Sequence, residues 1–342
     1  MGVSTTQLAQ EILMSIASSI RRRLAAVALG AAALSSGGFA LAQEWPSRPV
    51  RLINPFTAGS AVDVVARLIA ARLSQNMNVQ FIVENRTGAS GNIGTEVAAR
   101  ARPDGETFLV GSPGTMAINP WLFKSLPYDA EKDFVAVTVL VSFPQVMVVN
   151  PKIPVTTVAE FAAWVKGQQG RVNFASSGQG STSHLVMELI RAEAKLDMTH
   201  IPFRGGSPAV QAVIAGDVQV AVEGLPSLPG HLAAGTIRPL AVTSERRSDA
   251  LPNVPALSET YPGFDAAAWV ILFAPAGTPT AIINRMAAEV KKSLEAPEVQ
   301  ERLAKMGATP SGLGPVDTAA FHKRELAKFK RAVEISGAKA EQ

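Results

Sequence analysis

The chain has 342 residues, 47% of them apolar and 18% charged, with a formal net charge of +4 and no cysteine. That is a globular body with enough length for two lobes, and not a disordered chain. The charge is too small for a nucleic-acid footprint, and the lack of cysteine excludes both disulfides and a lipid-attachment site.

The N-terminus reads as a processing segment. Arg21, Arg22 and Arg23 form a basic block, and the apolar stretch Leu24 to Leu34 is short for a bilayer span. "FALAQEWP" follows, where Ala40 and Ala42 fit the small-x-small cleavage rule. Residues 1–42 are therefore expected to be a signal peptide, with Gln43 as the first mature residue and Met14 as an alternative start. The Arg run lacks a full twin-arginine motif, which favours the general secretory route. Cleavage removes three Arg and one Glu and lowers the formal charge from +4 to +2. No later apolar segment is long enough to cross a membrane, so the mature protein is expected to be exported, soluble and not a lipoprotein.

Strands and helices then alternate. "VRLINPF" (Val50 to Phe56) predicts a buried strand, and Val62, Val65, Ala66, Ile69 and Leu73 recur at helical spacing. "VQFIVEN" is a strand, "NIGTEVAARA" a helix and "TFLVG" a strand, with a short helix near Met116 to Phe123. The pattern restarts near Gln145 with "QVMVVNP", a helix over Val158 to Lys166 and the strand "VNFAS". Leu185, Val186, Leu189 and Ile190 give the next helical stripe, and "MTHIPF" the next strand. Ser207 is a plausible N-cap with Pro208 at the first helical position, and Gly216 closes that helix. "VQVAVEG" and "IRPLAVTS" are strands; "WVILFAPAGTP" is another, followed by helices near Ala281–Leu294, Pro297–Met306 and Val316–Val333. This alternation implies parallel βαβ units. "VVNPKIPVTTVAEFAAWVK" and "LFAPAGTPTAIINRMAAEVK" share a layout of strand, two prolines and helix, as if on either side of a hinge. The expected organisation is lobe 1 in residues 43–144, lobe 2 in 145–255, and completion of lobe 1 with C-terminal helices in 256–342.

In parallel sheets, ligands bind beyond the carboxyl ends of the strands. Four small, polar or glycine-rich loops sit there, each opening a helix. The first supplies Thr57, Ala58, Gly59 and Ser60, with Asp63 in the following helical turn, where capping is its default role. The second supplies Ser112, Gly114 and Thr115. The third supplies Ser177, Gly178, Gly180 and Ser181, followed by Ser183 and His184. The fourth, Arg204–Gly206, supplies Arg204 and Gly205, with Phe203 just before it. Glu223 ends a strand at the same edge, suited to a ligand or hinge contact. Helix N-termini offer unpaired N–H groups and partial positive charge, so the arrangement suits carboxylates. Glycine, as at Gly180, lets a ligand approach the backbone. Ser181 has two open roles, N-cap or ligand donor.

A catalytic constellation is not legible. No Gly-x-Ser-x-Gly elbow is present, and His184 is expected to pack or hydrogen-bond locally in the first helical turn. His200, His231 and His322 have no His or Cys partner at metal-ligand spacing. Gly88, Gly91 and Gly94 match neither a dinucleotide fingerprint nor a phosphate loop, and are expected to shape a turn and close helix packing. Glu84 and Arg86 read as a loop-fixing pair. No cofactor or metal is called for.

The ordered set "WPSRPVRLINPF", "VDVVARLIA", "VENRTGASGNIGTEVAARARPDGETFLVG", "AINPWLFKSLPYD", "NFASSGQGSTSHL", "IPFRGGSPAV", "IRPLAVTSERRSDALPNVPALSE" and "LFAPAGTP" resembles the substrate-binding receptors of tripartite tricarboxylate transporters, the Bug family. The resemblance covers essentially the whole mature chain. Gly59 and Asp63 match the family's first cleft loop, whereas Ser60, Val62 and Thr57-Ala58 depart from it; Phe203, Arg204 and Glu223 stand where Tyr, Lys and Asp are common. It implies a periplasmic, type II-like two-lobed α/β receptor whose lobes are joined by hinge strands. Such a receptor closes on a small organic acid, acts as a monomer and delivers its ligand to a membrane permease. The alternatives are a binding protein that feeds a sensor kinase and an exported α/β hydrolase.

Overall fold

The computed structural model describes residues 45–338 and Met14; the signal-peptide and cleavage readings lie outside the described residues. Two sheets organise the chain. The first holds β1 (Val50–Asn54), β2 (Phe81–Asn85), β3 (Thr107–Gly111), β4 (Phe134–Phe143), β10 (Ala268–Pro275) and β11 (Thr309–Pro310), in the order β11-β4-β10-β3-β1-β2. The second holds β5 (Gln145–Val149), β6 (Val172–Ser176), β7 (Met198–Pro202), β8 (Val220–Gly224) and β9 (Arg238–Val242), in the order β7-β6-β8-β5-β9.

In each sheet the first βαβ strands pair in parallel: β1 with β2 and β3, and β6 with β7 and β8. The strands that arrive from the other lobe run the opposite way. β10 is antiparallel to β3 and β4, and β5 is antiparallel to β8 and β9. The reason is geometric: β4 and β9 leave their sheets at the cleft edge, so the strand that receives the chain in the other sheet begins at that edge and runs away from it.

Neighbouring residues of one strand enter different cores. Leu52, Phe108 and Val270 pack in one cluster, whereas Ile53, Leu109 and Ile271 pack in another on the opposite face. Met147 and Val149 likewise separate from Val146 and Val148. A sheet buried on both faces needs unbroken apolar strands, which is why they carry no polar alternation.

Ten of the helices are labelled in chain order: α1 (Ala61–Met77), α2 (Asn92–Ala99), α3 (Asn119–Leu122), α4 (Val158–Gly167), α5 (Thr182–Ala194), α6 (Gly206–Ala215), α7 (Pro229–Ala233), α8 (Thr280–Leu294), α9 (Pro297–Lys305) and α10 (Pro315–Ser336). A π-helical turn, Gly114–Ile118, runs into α3. α10 touches both lobes. Its Leu326, Phe329 and Val333 are buried with Leu185 of α5, and His322 hydrogen-bonds through Nε2 to the Met116 carbonyl.

Three details differ from the sequence reading. β4 is a ten-residue strand, Phe134–Phe143, whereas the sequence pattern restarts only near Gln145. α6 begins at Gly206 with Gly205 as its cap, so Ser207 lies inside the first turn and caps nothing. Gly205 takes φ 123°, a conformation that disfavours any residue with a Cβ. Residues 256–266 belong with the second sheet, since Leu257 and Ala266 are buried in its core and Ala266 N–H donates to the Thr243 carbonyl at 2.9 Å. The return to the first sheet therefore falls next to Ala268 and not at residue 256.

Candidate ligand-binding cleft

The loops after β1, β3, β6 and β7 converge between the two sheets. Ser60 caps α1, its Oγ accepting from Asp63 N–H at 3.3 Å. Asp63 is thus not the cap. Its buried carboxylate accepts from Gly59 N–H at 2.9 Å, Arg67 Nε at 2.9 Å, and the side-chain amides of Asn85 and Asn54 at 2.8 and 3.3 Å. Burial pushes this carboxyl up, but those bonds outweigh it and hold the group below its ordinary value. Asp63 therefore fixes the shape of the first loop from behind.

Ser181 caps α5, its Oγ accepting from His184 N–H at 3.2 Å. It also bonds Ser183 Oγ at 3.1 Å, which in turn bonds Ser177 Oγ at 2.9 Å and accepts from Ser177 N–H at 3.0 Å. His184 is buried beneath this chain of hydroxyls. Its Nδ1 accepts from Gly180 N–H at 3.2 Å, and its ring stacks on His200 with centroids 4.1 Å apart. Burial, followed by the charges of His200 and Arg191, lowers His184 to about 3. It stays neutral and supports the loop, and its ring is not placed as a base toward Ser181.

The two lobes meet through close backbone approaches. Gly114 N–H donates to Thr182 Oγ1 at 3.2 Å. A Cβ on Gly205 would collide with Thr57. A Cβ on Gly180 would lie 2.5 Å from Asn119 Oδ1 and 2.8 Å from Phe123 Cε2. Gly180 thus faces the first lobe and does not line the inner cavity, so its lack of a side chain serves lobe contact and not backbone access for a ligand.

An inner cavity of about 50 Å³ lies between the lobes. Of the predicted residues it brings together Ser60, Ser112, Ser177, Ser181, Ser183 and Glu223. A second, outer cavity of about 350 Å³ is lined by Thr57, Gly178, Phe203, Arg204 and Gly205, and shares Phe56 and Ser177 with the inner one. Ala58 and Gly59 are exposed beside it, and Thr115 Oγ1 donates to the Ser112 carbonyl at 3.4 Å, whereas Gly114 meets Thr182 of the other lobe. Residues missed in the sequence line the inner cavity too: Phe143, Gln145, Ala268 and Trp269 from the crossing strands. Gly206, the last residue of the fourth loop, joins them at the start of α6. A lone Gln within the apolar run "VSFPQVMVV" was the available signal.

No Lys, Arg or His lines the inner cavity, and Glu223 is its one ionisable side chain among the described residues. Ser112 Oγ, Gln145 Nε2 and Glu223 Oε2 are buried there with no hydrogen-bond partner. Burial pushes the Glu223 carboxyl up to about 7, offset only in part by the hydrogen bond from Gly224 N–H. Three helices, α1, α5 and α6, point their N-termini into the space.

Two α/β lobes linked by crossing strands, with helix N-termini converging between them, define a solute-binding receptor of the periplasmic binding type. The description "tripartite tricarboxylate transporter family receptor" matches residues 65–337, and the chain belongs to that family. Protein BugT of Bordetella pertussis is 35% identical over 300 residues, covering 87% of this chain and 92% of its own. Rpa4515 of R. palustris, solved with adipate, superposes with a TM-score of 0.84 at 35% identity, over 86% of this chain and 99% of its own. MatC from Rhodopseudomonas palustris, solved with bound malate, gives 0.81 at 33% identity, over 84% and 100%. Among the described residues no helix is long and apolar enough to cross a membrane.

Proposed function

We propose that this protein is a periplasmic receptor that captures a small organic acid between its lobes and delivers it to a tripartite tricarboxylate-type permease, acting as a monomer. One observation carries the reading. The inner cavity has three helix N-termini and a set of serine hydroxyls, yet no cationic side chain among the described residues. Such a lining holds a carboxylate through N–H and O–H donors and the positive ends of helix dipoles. The relatives solved with adipate and with malate support the same ligand class. The residues proposed to hold the acid are Ser60, Ser112, Ser177 and Ser181, with the outer cavity around Arg204 receiving the rest of a longer ligand.

The test is a thermal-shift panel of mono- and dicarboxylates beside neutral sugars. At about a hundred times its dissociation constant a ligand stabilises the native state by about 2.7 kcal/mol. A carboxylate is expected to raise the melting temperature and the sugars are not. A clear shift with a sugar and none with any acid would overturn the reading.

A further inference from the structure

We propose that Glu223 is a receptor for a cationic amine on the ligand, so that the site selects amino-substituted carboxylates over plain ones. This inference rests on the carboxylate reading and narrows it.

Glu223 lies in β8 at the cleft edge and is 7% exposed. It lines the inner cavity, its Oε2 has no protein partner, and it packs so closely on Gly206 that a Cβ there would overlap the carboxyl group. Among the described residues, the elements packed around it place no free counter-charge in the cavity. β5, β6 and α6 contain no ionisable residue, and in the first turns of α1 Asp63 is already paired with Arg67. α5 carries His184, whose Nδ1 is taken by Gly180 N–H, Arg191, which is paired with Glu188, and Glu193, and none of these lines the cavity. A buried carboxylate requires a partner, and a hydroxyl supplies a hydrogen bond without charge. An ammonium supplies both.

The rest of the cavity fits the other half of such a ligand. Gln145 Nε2 is an unpartnered donor and Ser112 Oγ an unpartnered hydroxyl in the same space. β5 pairs with β8 so that Gln145 stands opposite Gly224, the residue after Glu223. Donors for a carboxylate and an acceptor for an amine are therefore adjacent, as a 2-amino acid presents them. A plain dianion placed there would face an ionised Glu223 with no cation between them.

Matched ligands test this on the wild-type protein. Succinate, malate and aspartate differ at one carbon by hydrogen, hydroxyl and ammonium; adipate and 2-aminoadipate form a longer pair. Calorimetric titration at about pH 8 is expected to show the amine member of a set binding about 10- to 100-fold tighter than its parent diacid, the range of one charge-assisted hydrogen bond. Acidification to about pH 6 is expected to erode that preference, because protonated Glu223 no longer pairs with ammonium. Glu223→Gln is expected to collapse the preference and to tighten the plain diacid. The proposal is overturned if the parent diacid binds wild type as tightly as its amine analogue. It is also overturned if diacid affinity rises on acidification with no amine preference, since Glu223 would then act as a protonated donor. A uniform loss for every ligand in Glu223→Gln would reduce the residue to a structural role. In the first two of these results diacid binding by wild type leaves the carboxylate reading standing; binding of no acid by wild type removes both.

Discussion

At the residue scale, Glu223 and His184 are both buried without full compensation, and they titrate with opposite consequences. Glu223 has a folded value of about 7 against an ordinary 4.5. Between those values the native state keeps a proton that the unfolded chain has released, so stability is lost as pH rises through the window. His184 has a folded value of about 3 against 6.5. Below its ordinary value the unfolded chain takes a proton that the native state refuses, so stability falls with pH. Each effect amounts to about 2 kcal/mol between about pH 7 and about pH 5. In chemical unfolding of the ligand-free protein, Glu223→Gln is expected to gain about 2 kcal/mol on the parent as pH rises from about 5 to about 7. A difference that does not change with pH would show that the carboxyl does not titrate in that range. At this scale the serine loops were legible because hydroxyl and glycine clusters between apolar runs announce a strand end before a helix. Gln145 and Trp269 were not, because they sit in crossing strands and become cavity residues only when the lobes come together.

At the element scale, the loop from Ser177 to Ser181 separates two jobs. Ser181→Ala removes a cap from α5 and is expected to cost about 1 kcal/mol in chemical unfolding. Gly180 has φ 78°, and a side chain there meets Asn119 and Phe123 of the first lobe. Gly180→Val is therefore expected to hold the lobes apart, with ligand affinity and stability both reduced. Titration and unfolding of this variant check it; full affinity would mean that the Gly180 contact is not part of the ligand-bound arrangement. Most helices and strands were legible from apolar spacing and from punctuation by Gly, Pro and Asp. "FVAVTVLVSF" is not legible as a strand of its own because it runs into "QVMVV" with only one proline between, so the exit strand of one lobe and the entry strand of the other read as a single apolar block. The cap of α6 departs from its local signal for a different reason. Ser207-Pro208 is a good local start, but the backbone turns one residue pair earlier, at Gly205, where the approach of Thr57 leaves no room for a side chain.

At the scale of the whole molecule, the chain crosses between sheets through Phe143–Gln145 and again before Ala268. Two short crossings beside one cleft make a hinge, and closure on a ligand is the expected motion. Small-angle scattering is expected to give a smaller radius of gyration for the saturated protein than for the free one; identical profiles at proven saturation would point to a rigid pocket. α10 restrains this motion. Leu326, Phe329 and Val333 share a buried cluster with Leu185 of the second lobe, so parting the lobes must shear or open an apolar seam. Apolar contact weakens on cooling, because the cost of hydrating such surface falls with temperature. The C-terminal helix is therefore expected to make the resting balance between open and shut lobes a thermal quantity, with the lobes parting more readily in the cold than in the warm.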